Sequence, residues 1–163
     1  MIKLLIGPPA WARIFTLVVL GAALSFLMAA SVTVAQRRAN EDVSSVFHDY
    51  RGIQLGMLAE EVRKKLGDPK DKSDEQDFFI FNESETAQIV YDKTHKVITI
   101  SADFLTSGTG IPTAKQVFGT EVEAKADGSV YKMVRFPKAG YWLSYNRTSG
   151  NAPLTTVTLQ KIQ

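Results

Sequence analysis

Polar and apolar positions follow three regimes along this chain. From Ile14 to Val34 ("IFTLVVLGAALSFLMAASVTV") there is no charged residue, and Lys3 and Arg13 precede the run. As a helix rising ~1.5 Å per residue it would be ~31 Å long, matching a bilayer core of ~30 Å. This predicts a transmembrane helix at about 14–34. A secretory signal has a shorter apolar core of ~7–15 residues, yet Thr33-Val34-Ala35 offers a small-x-small cleavage site before Gln36. Residues 1–35 therefore read as a signal anchor or as a cleaved signal peptide, and both send the remainder across a membrane. Residues 36–49 are short and polar, a tether.

The second regime has helical period. Leu55, Leu58 (or Ala59), Val62 and Leu66 make one apolar stripe at three-to-four spacing. Glu60 and Glu61 sit in the first turn and Arg63, Lys64 and Lys65 in the last, matching the helix dipole. Gly67 caps the helix and Pro69 stops it.

The third regime is short and β-like. The first runs are "DFFIF" (77–81), "AQIVYD" (87–92) and "KVITISADF" (96–104), rich in aromatic and branched residues and separated by "NESET" and "KTH". "SGTGIP" (107–112) links them to a second set: "TAKQVFG" (113–119), "SVYKMVRF" (129–136), "GYWLSYN" (140–146) and "LTTVTLQKI" (154–162). Leu66-Gly67 corresponds to Phe118-Gly119, and the strands of the two sets align at nearly the same offset. The expectation is an α+β domain: about six antiparallel strands in two helix-plus-three-strand repeats (50–106 and 107–163), with the helices packed on one sheet face.

The stretch "YRGIQLGMLAEEVRKKLGDP", through Gly56, Met57, Val62, Leu66, Gly67 and Pro69, resembles the SmpA/OmlA (BamE-like) small periplasmic domain. The helix-plus-meander plan in tandem is similar to the β-lactamase-inhibitor-protein architecture. The resemblance covers Tyr50 to about Phe104, and the second half by pattern only. It implies a bacterial envelope protein that binds other proteins. An acylated Cys anchors that family's lipoproteins; this chain has no Cys, so the apolar helix itself would be the anchor. That places the chain in the bacterial inner membrane, single-pass, with its C-terminal domain in the periplasm.

Charge narrows the partners. All 17 Asp and Glu follow Gln36, and of 19 Lys and Arg only Lys3 and Arg13 precede it. The exported part is close to neutral, which removes the electrostatic case for nucleic acid. The absence of Cys also removes disulfides and thiolate chemistry.

No catalytic constellation stands out. His48 and His95 are isolated, and "DKSDEQD" (71–77) lacks the glycine and terminal Glu of an EF-hand loop. "SGTGIP" lacks the Lys of a phosphate-binding loop. The expectation is a non-enzyme with no metal and no cofactor. Aromatic residues with neighbouring arginines point elsewhere, because such strips compose protein-binding surfaces. Phe79, Phe81, Arg135, Tyr141, Trp142, Tyr145 and Arg147 are the candidate partner-binding residues; internal packing of the same rings is the competing reading. Gly21, Ala22 and Ser25 are small residues suited to helix packing in a membrane. The function expected is an accessory or assembly subunit of a membrane protein complex. The alternative is a soluble periplasmic inhibitor or ligand-binding protein released by cleavage.

Overall fold

A computed structural model describes residues 46–162. Among them no helix is long and apolar enough to cross a membrane. The expected span at 14–34, with Gly21, Ala22 and Ser25, lies outside the described residues.

The described chain is built on one antiparallel sheet. Helix α1 (Ala59–Leu66) is followed by β1 (Asp71–Lys72), β2 (Gln76–Asn82), β3 (Glu85–Tyr91) and β4 (Val97–Leu105). Helix α2 (Ala114–Phe118) then precedes β5 (Val130–Phe136), β6 (Tyr141–Arg147) and β7 (Leu154–Lys161). The strand order is β1-β2-β3-β4-β7-β6-β5. Strands β4 and β7 meet in the middle, so β2 and β5 lie far apart on opposite flanks.

This corrects the expected class. The sheet has seven strands, not six, and it dominates: the helices contribute 8 and 5 residues. At 1.5 Å per residue they are roughly 12 and 7.5 Å long. Seven strands spaced ~4.8 Å apart span roughly 29 Å. Two such helices cannot form a layer over that width, so loop residues must share the cover. Phe47, Tyr50, Ile53, Leu55, Met57 and Ile111 pack with the helices over the same sheet face. The extra strand, β1, forms inside the acidic stretch that reads as a loop, pairing Asp71 with Phe78 and Lys72 with Asp77.

Local signals explain the helix ends. Ala59 and Val62 are buried while Leu58 is exposed, so the stripe runs through Ala59. Leu58 has no side-chain acceptor. Instead, Glu61 reaches back to accept its N–H at 3.0 Å, and the His95 carbonyl accepts from the N–H of Ala59 at 2.9 Å. These two bonds stand in for an N-cap hydroxyl. In α2 both halves of the capping box form between Thr113 and Gln116.

The covered face carries the core. Phe79, Ala87, Ala102, Val157 and Tyr145 stand in one register row across β2, β3, β4, β7 and β6. In the next row Ile89, Ile100, Leu159 and Leu143 continue from Asp77, which is fully buried. A carboxylate in that position requires partners. Arg63 of α1 supplies two bonds, Nε to Oδ2 at 2.8 Å and Nη2 to Oδ1 at 2.9 Å. The Tyr91 hydroxyl donates a third to Oδ2 at 2.8 Å. The carboxylate raises the guanidinium's pKa, and burial followed by the same carboxylate raises that of the Tyr91 hydroxyl. This cluster ties α1 to β2 and β3.

A second Arg–carboxylate–Tyr cluster lies nearer solvent. Arg51 Nη2 and Nε meet Glu85 at 2.6 and 3.0 Å, and the Tyr50 hydroxyl donates to Glu85 at 2.7 Å. Arg51 and Gly52, with φ of 51° and 76°, turn the chain tightly between Tyr50 and Ile53. That turn swings the Arg51 guanidinium to 4.1 Å from the centroid of the Phe81 ring.

The contrast between the clusters is measurable. Arg63→Ala strands a buried charge and should cost about 3–5 kcal/mol; Arg51→Ala, at a pair whose arginine is solvent-exposed, should cost less, about 1 kcal/mol. Chemical unfolding of the two variants compares them, and equal losses would contradict the burial argument. The Arg51 hydrogen bond holds the Glu85 carboxyl below its ordinary range. A depressed folded pKa gives stability that is present above the unfolded value and lost as pH falls through the folded one. Glu85→Gln should therefore flatten the fall of melting temperature below about pH 4.3, measured by circular dichroism across an acid series.

Candidate protein-binding surface

Side chains alternate across a strand, so each residue between core positions points to the other face. Among the described residues no helix packs on that face. Three register rows cross it from β2 to β5. The first runs Gln76, Val90, Thr99, Gln160, Trp142, Arg135; the second Phe78, Gln88, Ser101, Thr158, Ser144, Met133; the third Ile80, Thr86, Asp103, Thr156, Asn146, Tyr131.

The rows share a pattern. Polar residues fill the centre and apolar residues the two flanks, with Phe78 and Ile80 on β2 and Tyr131, Met133 and Trp142 on β5 and β6. Ile80, Tyr131 and Met133 expose 53%, 52% and 47% of their surface, placing them among the most exposed large hydrophobic residues described. In the centre, polar side chains pair with each other. Ser101 and Thr158 hydroxyls lie 3.1 Å apart, Thr156 donates to Asp103 at 2.6 Å, and Gln88 Nε2 donates to Gln76 at 2.7 Å. Because those groups already hold partners, a polypeptide laid over them removes little uncompensated hydration. The flanks, about five strand spacings or roughly 24 Å apart, would supply the apolar contact.

The seven candidate side chains divide between the faces. Trp142 and Arg135 are opposed in register on the open face. Phe79 and Tyr145 are only 2% and 4% exposed within the core, which corrects their assignment to a partner surface. Phe81 stacks on Phe79 at 6.0 Å and lies under Arg51; it too belongs to the covered face. Tyr141 packs against the core and leans on Phe136 at 5.0 Å. Arg147 points to the covered side as well, where it lines a hollow of about 340 Å³ with Lys115, Glu121 and Thr155. A neighbouring hollow of about 370 Å³ lies beside Tyr50, Arg51, Glu85 and Phe104, and Pro112 lines both.

The open face instead adds Phe78, Ile80, Tyr131 and Met133. Period-two alternation separates Phe78 from Phe79 and Phe81 in the sequence. It does not say which side is covered.

Several carboxylates are engaged by the fold itself. Asp77 and Glu85 are each held by an arginine through two bonds, and the Asp92 and Asp127 carboxylates bind the backbone and hydroxyls of their own turns. Those bonds, from Thr94 and from Ser129 first, hold both aspartates below their ordinary range. His48 lies 3.5 Å from Asp49, and His95 sits in an exposed turn with φ of 58°. Among the described residues no group of three or more His, Cys, Asp or Glu is placed to hold a metal. Three comparisons with known proteins, covering family models, curated proteins and solved structures, find nothing that matches this chain.

The division of the candidates is testable by stability alone. Phe79→Ala should cost about 3–5 kcal/mol as a core truncation, while Arg135→Ala should stay within about 0.5 kcal/mol. Similar losses at both positions in chemical denaturation would refute the assignment of faces.

Proposed function

We propose that this chain is a non-enzymatic protein-binding module that grips its partner across the open sheet face. The observation that carries the reading is the asymmetry of the sheet. One face is closed by α1, α2 and loop residues, and the other presents Phe78, Ile80, Tyr131, Met133 and Trp142 around a self-paired polar centre. Tyr, Trp, Met and Arg are the residue types that protein interfaces favour, and Trp142 beside Arg135 is the composition of an energetic anchor.

The uncharged run from Ile14 to Val34 supports a place at the bacterial inner membrane, with the domain in the periplasm. The resemblance of Tyr50 to Phe104 to the SmpA/OmlA domain supports an accessory or assembly subunit of a membrane complex. On this reading the partner is a protein, and nucleic acid plays no part.

Two substitutions in the full chain, purified in mild detergent with its co-eluting protein, test the reading. Trp142→Ala should lose most of the partner while shifting the melting temperature by only a few degrees. Tyr145→Ala, on the same strand but facing the core, should lower the melting temperature far more. Unchanged partner retention in Trp142→Ala would remove the open face from consideration.

A further inference from the structure

The two outer strands of the sheet are finished differently. At one end β1 is two residues long and carries Asp71 and Lys72, a short charged strand of the kind that blunts an edge. At the other end β5 runs for seven residues, Val130–Phe136, with no proline and no register shift against β6. Among the described residues no strand pairs with its outer backbone groups. Such an edge is a template for another strand.

We propose that the occupant is β5 of a second copy, paired antiparallel about Met133. This register pairs all seven residues of "VYKMVRF". It sets Val130 against Phe136, Tyr131 against Arg135 and Lys132 against Val134, with Met133 against its own copy. No like charges oppose one another, whereas centring the pair on Lys132 or Arg135 would stack a cation on its copy and weaken it. Arg135 faces an aromatic ring, a favourable cation–π pairing.

The faces also match. Val130, Val134 and Phe136 of each copy would extend the core side of the sheet across the seam. Tyr131 and Met133, each about half exposed, would meet on the open side. Lys132 is the one charge on β5 that points inward. It is drawn back over the Phe118 ring at 4.9 Å and to the Thr120 hydroxyl at 3.3 Å, so it does not project across the edge. This inference stands on the strand edge and its sequence, and is independent of what binds the open face.

The chain has no cysteine, which gives a clean background for crosslinking. Directly opposed Cα atoms in an antiparallel pair lie about 4.5–5.5 Å apart, within disulfide reach of about 4.4–6.8 Å. In the proposed register position 131 lies roughly 14 Å from its own copy. Under mild oxidation of the full chain in detergent, Met133→Cys should shift from 18.0 kDa to twice that mass on a non-reducing gel. Tyr131→Cys and Arg135→Cys should each remain monomeric alone and crosslink when mixed. The proposal is overturned if Met133→Cys stays at the monomer mass, or if Tyr131→Cys alone crosslinks as readily. Should Met133→Cys fold poorly, the 131 and 135 mixture reads the same register independently.

Discussion

A sheet has two faces, and the described residues supply cover for one of them. Thirteen helical residues are too few to layer even that face, so Tyr50, Ile53, Leu55 and Ile111 close it from loops. This shortage of cover shapes the whole domain. It makes the core one-sided, and it leaves the alternate residues of every strand on a broad surface with polar pairs at its centre and apolar flanks.

One-sided cover also makes the attachment of α1 consequential. Two turns of helix bury only Ala59 and Val62 fully, a modest apolar contribution of about 2–4 kcal/mol. The Arg63–Asp77–Tyr91 cluster fixes the helix in a single position on β2 and β3, because any other placement strands the Asp77 carboxylate among apolar neighbours. The Arg51–Glu85–Tyr50 cluster repeats the chemistry closer to water, where it orients a turn more than it stabilises the fold. Both clusters engage acids and arginines that would otherwise resemble reactive groups. Asp77 is the clearest case: it ends an acidic run that reads as a solvated loop, yet it lies in a core row.

Much of the local structure was legible. The run "DFFIF" locates β2, the match of Phe118-Gly119 to Leu66-Gly67 locates the end of α2, and Gly67 with Pro69 ends α1. The class was not legible, because helix length sets how much a helix can cover, and α2 reaches only about one and a half turns. Strand β1 was also hidden, since two charged residues pair only because β2 happens to offer its edge. Among the candidate residues, Trp142 and Arg135 reached the open face, while Phe79 and Tyr145 went to the core with the same chemistry and nearly the same local pattern.

The sequence by itself determined which residues alternate, where α1 stops and roughly where the six longer strands lie, and that Phe78 must oppose Phe79. Those properties depend on backbone periodicity and on short-range hydrogen bonds, which a few neighbouring residues decide. Only the tertiary structure decided which side of the sheet is buried, that β4 and β7 meet at its centre, and that β5 is left as an edge. These depend on contacts between residues far apart in the chain, such as Ser101 with Thr158, 57 positions away. No local pattern encodes a distance of that kind.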